Sequence, residues 1–501
     1  MNFNTQNGRI EALTEEWLIV GVDVGSDKHF ARAFTNRKVE LSKKPFAFEN
    51  NSDGFEAFNA WITQFLKLYG LKHVMVGMEP TGHYWFNLAH YVKTHGMMLS
   101  HVNPAHVKKA KELDDSDPSK NDRKDPKVIG GLITEGRYVL PYIPEDTYAE
   151  LRELNNLRYR ETEQHTRQKN LYARWISINF PELKTVYSDV ETAVTAKMIL
   201  KEAPLPEDVV KLGIDGINEI WRMNKIHGVG LKQARKLYEA AERSIGNSGC
   251  PKIARMEIQE ILEDLDKYES RLKKLMEMLE QAARNVPNAD KLFDIPGVGV
   301  KTITGFLAEV GDISRFEDAK AIQKLSGMAI VANQSGKHNG QSSISYRGRK
   351  HLRHVLYLGA ISVIGRNEQF AEIYNYYLTR KNNPLKKLQA VIAVACKMIR
   401  VFYTILTKGI SYDGSKMMAG IKRPVGALAL NRSICRRTSG TCLRAGWLAS
   451  LIIWSKILKI RTTSYLKGNF RKLPVRQKTI IHLALADRNG SMKQKSGIWL
   501  I

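Results

Sequence analysis

The feature that most constrains the fold is a pair of acidic residues that each end a short apolar run. Leu18 to Asp23 reads L-I-V-G-V-D, and His73 to Glu79 reads H-V-M-V-G-M-E. Apolar runs of this length predict buried β-strands. A carboxylate at the end of a buried strand costs desolvation unless it is paired or binds a cation. The two acids can therefore converge at one edge of a sheet.

The residues around these strands predict an alternating α/β domain over about 17–140. Further strands are expected at Phe30–Thr35, Val39–Phe48 and Met97–Val102, the last ended by Asn103-Pro104. Helical spacing covers Gly54–Leu68 and about Tyr84–Thr94, and another helix is expected from about Asp122.

Asp122 and Asp125 are three residues apart on that last helix, so they share a face. Four carboxylates from strand, strand and helix follow in the order that an RNase H-like fold requires, and could hold two divalent ions for phosphoryl transfer. Oxygen ligands favour Mg²⁺ or Mn²⁺. The alternative for Asp122 and Asp125 alone is a helix cap and a first-turn acid.

The segment 145–290 is predicted to be a helical arm. Seven apolar residues follow a 3-4-3-4-3-4 spacing, which indicates a coiled-coil hairpin or dimer, or an ordinary amphipathic helix in a bundle: Ile258, Ile261, Leu265, Tyr268, Leu272, Leu275 and Leu279. A mainly α domain follows at about 291–412. Ile295–Gly299 resembles a helix-hairpin-helix turn that could approach phosphate, or is simply a tight turn, and Ile226–Gly230 is a weaker copy.

The charge favours a polyanionic partner. The formal net charge is +26, of which +17 falls after Ser415. Nucleic acid is favoured over a membrane surface, and a merely soluble basic protein is the alternative. The tail at 424–501 is either a basic nucleic-acid arm or non-native sequence read past an ancestral end. The N-terminus lacks the apolar segment of a signal peptide, and four cysteines without metal-type spacing suit a reducing cytoplasm.

The polar stretch A-N-Q-S-G-K-H-N-G-Q places Ser335 in a loop near positive charge. A serine nucleophile needs an exposed position with cations nearby, although most loop serines are inert. Ser342, Ser343 and Ser345 are further candidates. The surrounding cations read most simply as a phosphate-backbone clamp: Lys337, Arg347, Arg349, Lys350 and Arg353.

Several motifs together resemble the IS110 family of insertion-sequence transposases and the related Piv-type DNA invertases. They are G-V-D-V-G-S-D-K-H, M-E-P-T-G-H-Y-W, H-V-N-P-A-H-V-K-K, S-K-N-D-R-K-D-P-K, D-I-P-G-V-G-V-K-T, N-Q-S-G-K and S-I-S-Y-R-G-R-K-H-L-R. The similarity runs in order over about residues 17–423. Pro126 departs from the family's usual alanine, although proline is tolerated in a first helical turn.

The resemblance implies a RuvC-like domain whose metal site consists of Asp23, Glu79, Asp122 and Asp125. It also implies a C-terminal transposase domain with Ser335 as the attacking nucleophile. The implied partners are donor and target DNA, a structured noncoding bridge RNA, and further copies of the chain in a dimer or tetramer. The expected cofactor is Mg²⁺ or Mn²⁺, and no membrane is expected.

The sequence therefore predicts a cytoplasmic DNA transposase or recombinase that works through a phosphoseryl intermediate, in a bacterial or archaeal cell. Two alternatives remain open. One is a metal-only resolvase of branched DNA in which Ser335 takes no part. The other is an inactive nucleic-acid-binding remnant of a decayed element.

Overall fold

A computed structural model describes residues 5–80, 82–114, 125–226, 228–246, 249–331, 334–335, 338–339 and 343–419 of the 501-residue chain. The chain divides into two compact units, Met1–Met418 and Ala419–Ile501. The first unit contains all the strands and helices given below, apart from the last residue of the final helix.

The N-terminal part is built on a six-stranded sheet with the order β3-β2-β1-β4-β5-β6. The strands β1, β4 and β5 are parallel to one another, whereas β2, β3 and β6 run antiparallel to their neighbours. The strands are β1 (Trp17–Asp23), β2 (Lys28–Phe34), β3 (Phe46–Glu49), β4 (His73–Met78), β5 (Met98–Val102) and β6 (Tyr138–Val139).

Helices cover both faces of this sheet, so its central strands are apolar on both sides. One face packs against the apolar residues of α2 and α3, and the other against those of α5. The helices of this part are α1 (Gln6–Glu11), α2 (Ser52–Tyr69), α3 (Trp85–Thr94), α4 (Pro104–Asp114) and α5 (Asp125–Thr134). The predicted mixed α/β layout is thus present.

One local prediction was wrong, and one helix was not predicted. The strand expected over Val39–Phe48 forms only at Phe46–Glu49, because the Ser42 hydroxyl accepts the Ala33 amide hydrogen (3.1 Å) and Pro45 has no amide hydrogen. The pair Asn103-Pro104 ends β5 but also starts α4. The Asn103 Oδ1 accepts from the Ala105 amide at 2.9 Å, and proline at the first helical position needs no partner.

The middle of the chain is an antiparallel pair of long helices, α6 (Asp146–Asn179) and α11 (Pro251–Arg284). Between them lie α7 (Leu183–Val186), α8 (Val194–Glu202), α9 (Pro206–Met223) and α10 (Leu231–Glu242). Of the seven seam residues, Tyr268 and Leu272 are half-buried and the other five are buried. Since α6 of the same chain packs along α11, the seam belongs to a hairpin within one chain.

The C-terminal part is mainly helical, with short β-ladders. Its helices are α12 (Asp290–Phe293), α13 (Val300–Val310), α14 (Ala319–Leu325), α15 (Lys350–Arg366), α16 (Glu368–Thr379), α17 (Lys387–Lys408) and α18 (Gly414–Ala419), with a 3-10 turn at Ile313–Arg315. Its strands are β7 (Ile330–Val331), β8 (Gln334–Ser335), β9 (His338–Asn339) and β10 (Ser343–Ile344).

Helix α17 alone, among the described residues, is long and apolar enough to cross a membrane. Half of the apolar stretch of α17 is buried inside the protein, where the helix packs against α14, α15 and α16. The apolar character of α17 is therefore that of a core helix.

Candidate active site and nucleic-acid interface

Asp23 and Glu79 occupy neighbouring positions at the carboxyl edge of the sheet. Strands β1 and β4 pair in parallel from Trp17 opposite His73 to Val22 opposite Met78. One position further along, the same register places Asp23 beside Glu79, and both residues are half-buried. The convergence that the two sequence runs predict is thus produced by the pairing register.

Two glycines bring helix α5 onto the sheet just before these acids. A Cβ atom on Gly21 would lie 2.1 Å from the Pro126 carbonyl oxygen and 2.6 Å from the Gly130 nitrogen. A Cβ atom on Gly77 would lie 2.1 Å from the Ile133 Cδ1 atom. Only glycine permits this approach. Because side chains alternate along a strand, Asp23 and Glu79 lie on the same face as Gly21 and Gly77, the α5 face.

Asp125 is the first residue of α5, so the same packing brings it to this edge. Its side chain is only 15% exposed, and its Oδ2 atom accepts from the Lys111 ammonium of α4 at 2.5 Å. Pro126 sits in the first turn of α5, where its missing amide hydrogen costs nothing. Asp125 therefore already has a cationic partner at the place where the sequence predicts a metal ligand.

The fourth predicted acid, Asp122, lies outside the described residues. Among the residues that the structure does describe, no group of three or more His, Cys, Asp or Glu side chains could hold a metal ion. The donor set nevertheless fits Mg²⁺ or Mn²⁺ in its chemistry, since it consists of carboxylates. The close approach of α5 also fits, because a Cβ atom at Gly21 would collide with the backbone of α5 at Pro126, the residue after Asp125.

Two histidines, the buried His29 and the half-buried His101, flank the acidic edge, and sequence reasoning missed both. The Gly25 amide donates to the His29 Nδ1 atom at 3.2 Å, which fixes the turn that follows Asp23. Burial lowers the pKa of His29, and burial lowers the pKa of His101 to about 4. Both rings are therefore neutral at neutral pH and add no positive charge beside the carboxylates. The available signal was position: His101 lies inside a predicted strand, and His29 directly precedes one.

Ser335 lies in a small β-hairpin. Strand β8 pairs with β9, with Gln334 opposite Asn339 and Ser335 opposite His338. A second ladder, β7 with β10, encloses this hairpin in sequence. The side chain of Ser335 is outside the described part of the chain, as is all of Lys337. The described part of the predicted polar loop thus contains two short paired strands, Gln334–Ser335 and His338–Asn339.

The remaining predicted cations differ in exposure. Arg347 and Lys350 are exposed. Arg353 Nη1 donates to the Ser326 carbonyl at 2.9 Å and lies over the Tyr346 ring, with 5.4 Å from its Cζ atom to the ring centroid. Arg353 therefore holds the segment before α15 in place, whereas the exposure of Arg347 and Lys350 makes them accessible to phosphate.

Arg349 is one of three arginines that cap the C-terminus of α13. Arg349 Nη1 donates to the Glu309 carbonyl at 2.7 Å, Arg315 Nη2 to the Val310 carbonyl at 3.0 Å, and Arg152 Nε to the Ala308 carbonyl at 3.3 Å. Burial lowers the pKa of Arg152 to about 10, and the Arg349 charge adds to this effect. Cations at a helix C-terminus offset the exposed carbonyls and the helix dipole. The cluster thus links the α6 arm to the C-terminal domain.

The two glycine turns differ in accessibility. Gly297 has φ +87°, and a Cβ atom there would lie 3.0 Å from Val363 Cα in α15; the Gly297 carbonyl accepts from the Ser362 hydroxyl at 2.8 Å. The Gly297 end of this turn therefore packs against α15, whereas Gly299 at the start of α13 has no neighbour within 4 Å of its would-be Cβ. Gly228 (φ +92°) and Gly230, between α9 and α10, have no such neighbour either. The second turn is thus open at both glycines, and the first only at Gly299.

Comparison with protein-family models identifies two regions of this chain. A model described as "Transposase", of the DEDD type of IS110 elements, matches residues 20–181. A model described as "Transposase IS116/IS110/IS902 family" matches residues 289–375. The first region contains the acidic edge, and the second contains Ser335 and the α13 cap.

Curated relatives are similar over parts of the chain. The pilin gene-inverting protein of Moraxella bovis is 34% identical over 128 residues, which cover 25% of this chain and 38% of that protein. An uncharacterised 44.8 kDa protein of insertion element IS116 from Streptomyces clavuligerus is 23% identical over 57% of this chain and 71% of its own. A transposase for IS1111A from Coxiella burnetii is 23% identical over 39% of this chain and 55% of its own. The chain thus spans about two fifths of the length of the gene-inverting relative.

Proposed function

We propose that this chain, which matches two models of IS110/IS116/IS902-type transposases, moves its element by cutting and rejoining DNA through a phosphoseryl intermediate. The observation that carries the proposal is the acidic edge. Asp23 and Glu79 lie side by side by register, and two glycines bring Asp125 to the same face. Such an arrangement serves phosphoryl transfer.

The N-terminal domain is RNase H-like, RuvC-like in detail. Three features support this assignment: the order β3-β2-β1-β4-β5, the antiparallel β1-β2-β3 meander, and the parallel β4 and β5. Acids at the ends of β1 and β4 and at the start of a late helix follow the order that this fold places around its centre. The RNase H-like and RuvC-like assignment is part of the proposal.

Asp23, Glu79, Asp122 and Asp125 are the residues that would hold Mg²⁺ or Mn²⁺. When bound, the ion neutralises charge on the scissile phosphate and orients it. Lys111 would exchange its contact with Asp125 for one with the DNA backbone, since its side chain is 37% exposed and already at the edge. The family model that matches residues 20–181 is itself a model of DEDD transposases, which supports this ligand set.

Ser335 is the proposed nucleophile. Its Oγ atom attacks the phosphorus, the Oγ–P bond forms, and the bond from phosphorus to one deoxyribose oxygen breaks. The serine hydroxyl loses its proton and the departing oxygen takes one up. Because a phosphodiester is retained on the protein, a hydroxyl of the target strand reverses the step without any other energy source. Arg347 and Lys350, both exposed next to the hairpin, offset the phosphate charge.

Donor and target DNA are the proposed substrates, and a noncoding bridge RNA guides their choice. The net charge of +26 supports a nucleic-acid partner. The gene-inverting and transposase relatives are named for DNA rearrangement, which supports the DNA part of the proposal. A dimer or tetramer completes the proposal, because exchange of two DNA ends requires more than one serine.

A covalent trapping assay tests the proposal. The full chain, RNA transcribed from the element's flanks, Mg²⁺, and end-labelled donor and target DNA are combined and resolved on a denaturing protein gel. We expect label on the protein that disappears in Ser335→Ala and in Asp23→Asn. The matched control is Ser343→Ala, which alters an exposed serine of the enclosing ladder and should leave the label unchanged.

The assay also separates the alternatives. Cleaved DNA without retained label, unchanged in Ser335→Ala, would replace the serine mechanism by hydrolysis at the acidic edge. Label that moves to Ser343 would keep the mechanism and change the nucleophile. Tight DNA binding without any cleavage would indicate an inactive remnant.

A further inference from the structure

Three exposed aromatic rings lie four to seven residues after Glu79, and the proposed mechanism does not use them. His83, Tyr84 and Phe86 lie in the turn after β4 and the first turn of α3. Tyr84 is 39% exposed and Phe86 is 56% exposed, and His83 is exposed as well. We call these three residues the aromatic platform. Large exposed rings are costly in water, so their clustering beside a catalytic edge calls for a binding role.

The platform is held from beneath, so its position relative to the acids is fixed. Trp85 packs edge-on against His101 at the end of β5, with 4.5 Å between ring centroids, and stacks on Phe86 at 4.2 Å. The ring centroids of His83 and Tyr84 are 4.4 Å apart. The opposite side of α3 buries Leu88, Ala89 and Val92 in the sheet core. The platform is thus a surface of a packed helix.

The surroundings of the platform match a single nucleic-acid strand. Helix α4 begins at the same sheet edge, after β5, and exposes His106, Lys108 and Lys109. Rings and cations at one edge of a sheet can together provide stacking for bases and charge for the phosphates. The exposed residues that continue along α3 are polar, with Asn87, His90 and Lys93, so no apolar face extends from the platform for a protein partner.

We propose that His83, Tyr84 and Phe86 stack on unpaired bases of the DNA strand that is cut at the acidic edge. The inference rests on the proposed function for the place of the cut strand. Stacking on this surface holds the strand open beside Asp23 and Glu79, so that the scissile phosphate can reach the carboxylates. Stacking is tolerant of base identity, so the platform positions DNA without choosing its sequence.

Photocrosslinking tests the platform directly. The full chain is incubated without metal, so that nothing is cleaved, with single-stranded oligodeoxynucleotides that carry one 5-iododeoxyuridine at successive positions. Irradiation joins that base to an aromatic side chain in contact with it. We expect crosslinks to Tyr84 or Phe86, identified by peptide mass. The double variant Tyr84→Leu with Phe86→Leu should lose these crosslinks and bind the strand at least about tenfold more weakly.

Two further variants keep the test decisive. Tyr84→Phe retains a ring and should retain both crosslink and affinity. Tyr69→Leu alters a tyrosine that is 49% exposed at the opposite edge of the sheet, and should change neither. Tyr84 caps α3 without a side-chain hydrogen bond, so its replacement leaves the helix start intact.

Crosslinks elsewhere, or equal affinity in the double leucine variant, would overturn the inference while covalent trapping at Ser335 could still succeed. A change of oligomeric state in that variant, with no crosslink in the parent chain, would identify the platform as a protein contact and also overturn it. A platform crosslink without any trapping would contradict the proposed function alone.

Discussion

At the scale of single residues, the site depends on a glycine, whose missing Cβ atom leaves room for α5. Replacing Gly21 by alanine puts a methyl group into the space of the Pro126 carbonyl and the Gly130 amide. Because both are backbone atoms of α5, the helix must move away from β1. We expect Gly21→Ala to lower the free energy of unfolding by about 2–3 kcal/mol. Denaturant unfolding measures this, and the trapping assay should show a parallel loss as Asp125 leaves the edge.

The matched control is Gly365→Ala, at an exposed helical glycine with no neighbour within 4 Å of its would-be Cβ. That change should be neutral or stabilising by up to about 1 kcal/mol, since alanine favours a helix over glycine. Equal losses in both variants would show that the approach of α5 does not require Gly21.

A second residue-scale prediction concerns His101. Burial depresses its pKa from 6.5 to about 4, so between these values the unfolded chain binds a proton that the folded chain does not. Its contribution to stability is complete above pH 6.5 and is lost as the pH falls towards 4. The free energy of unfolding should fall there by at most about 1.4 kcal/mol per pH unit from this group.

His101→Phe keeps a ring against Trp85 but does not titrate. Unfolding measured at pH 7 and pH 5 should show a smaller difference in this variant than in the parent chain. Some pH dependence should persist, because His29 is buried with a shift of the same sign. An unchanged difference would mean that the His101 ring is hydrated.

At the scale of elements, the C-terminus of α13 is where a predicted DNA contact and a structural contact separate. Arg349 bonds the Glu309 carbonyl and approaches the Glu309 carboxylate at 3.5 Å, whereas Arg347 is exposed. We expect Arg349→Gln to lower the free energy of unfolding by roughly 1.5–3 kcal/mol, as expected for a hydrogen bond to a charged group. Thermal and denaturant unfolding measure the loss.

Arg347→Gln should leave stability unchanged and weaken DNA binding, with the slope of log affinity against log salt falling by about one. The reverse pattern, in which Arg349→Gln alone changes the salt slope, would return Arg349 to the role of phosphate clamp. The two neighbouring arginines are thus controls for each other.

The elements also show what the sequence could and could not predict. The 3-4 spacing located the buried face of α11, but the same spacing serves a partner in the same chain or in another copy, so only the structure identified α6. Asn103-Pro104 signals a strand end and a helix start equally well, which hid α4. A run of arginines gives a charge without saying whether carbonyls or phosphates accept from it, which concealed the cap on α13.

At the scale of the whole molecule, the acids were predictable because strand ends are visible in sequence and parallel strands share an edge. The glycine approach of α5 was not, since it depends on contacts between residues more than one hundred positions apart, Gly21 and Pro126. The aromatic platform escaped for a different reason. A ring near a strand end is as common in a core as on a surface, and only exposure separates the two.

The last prediction concerns the basic tail. The first compact unit ends at Met418. The proposed catalytic residues, the arginines at the end of α13 and the aromatic platform all precede that boundary. A chain that stops at Arg423 should therefore unfold at the same temperature and give the same serine-linked DNA at low salt. It should bind non-specific DNA more weakly, with a shallower dependence on salt, because most of the +17 charge after Ser415 is removed and fewer counterions are released. Calorimetry and a salt titration of binding measure the two effects, with the full chain as control. If truncation lowers the unfolding temperature, the tail packs on the first unit and is native sequence; if the salt slope is unchanged, its cations do not contact DNA.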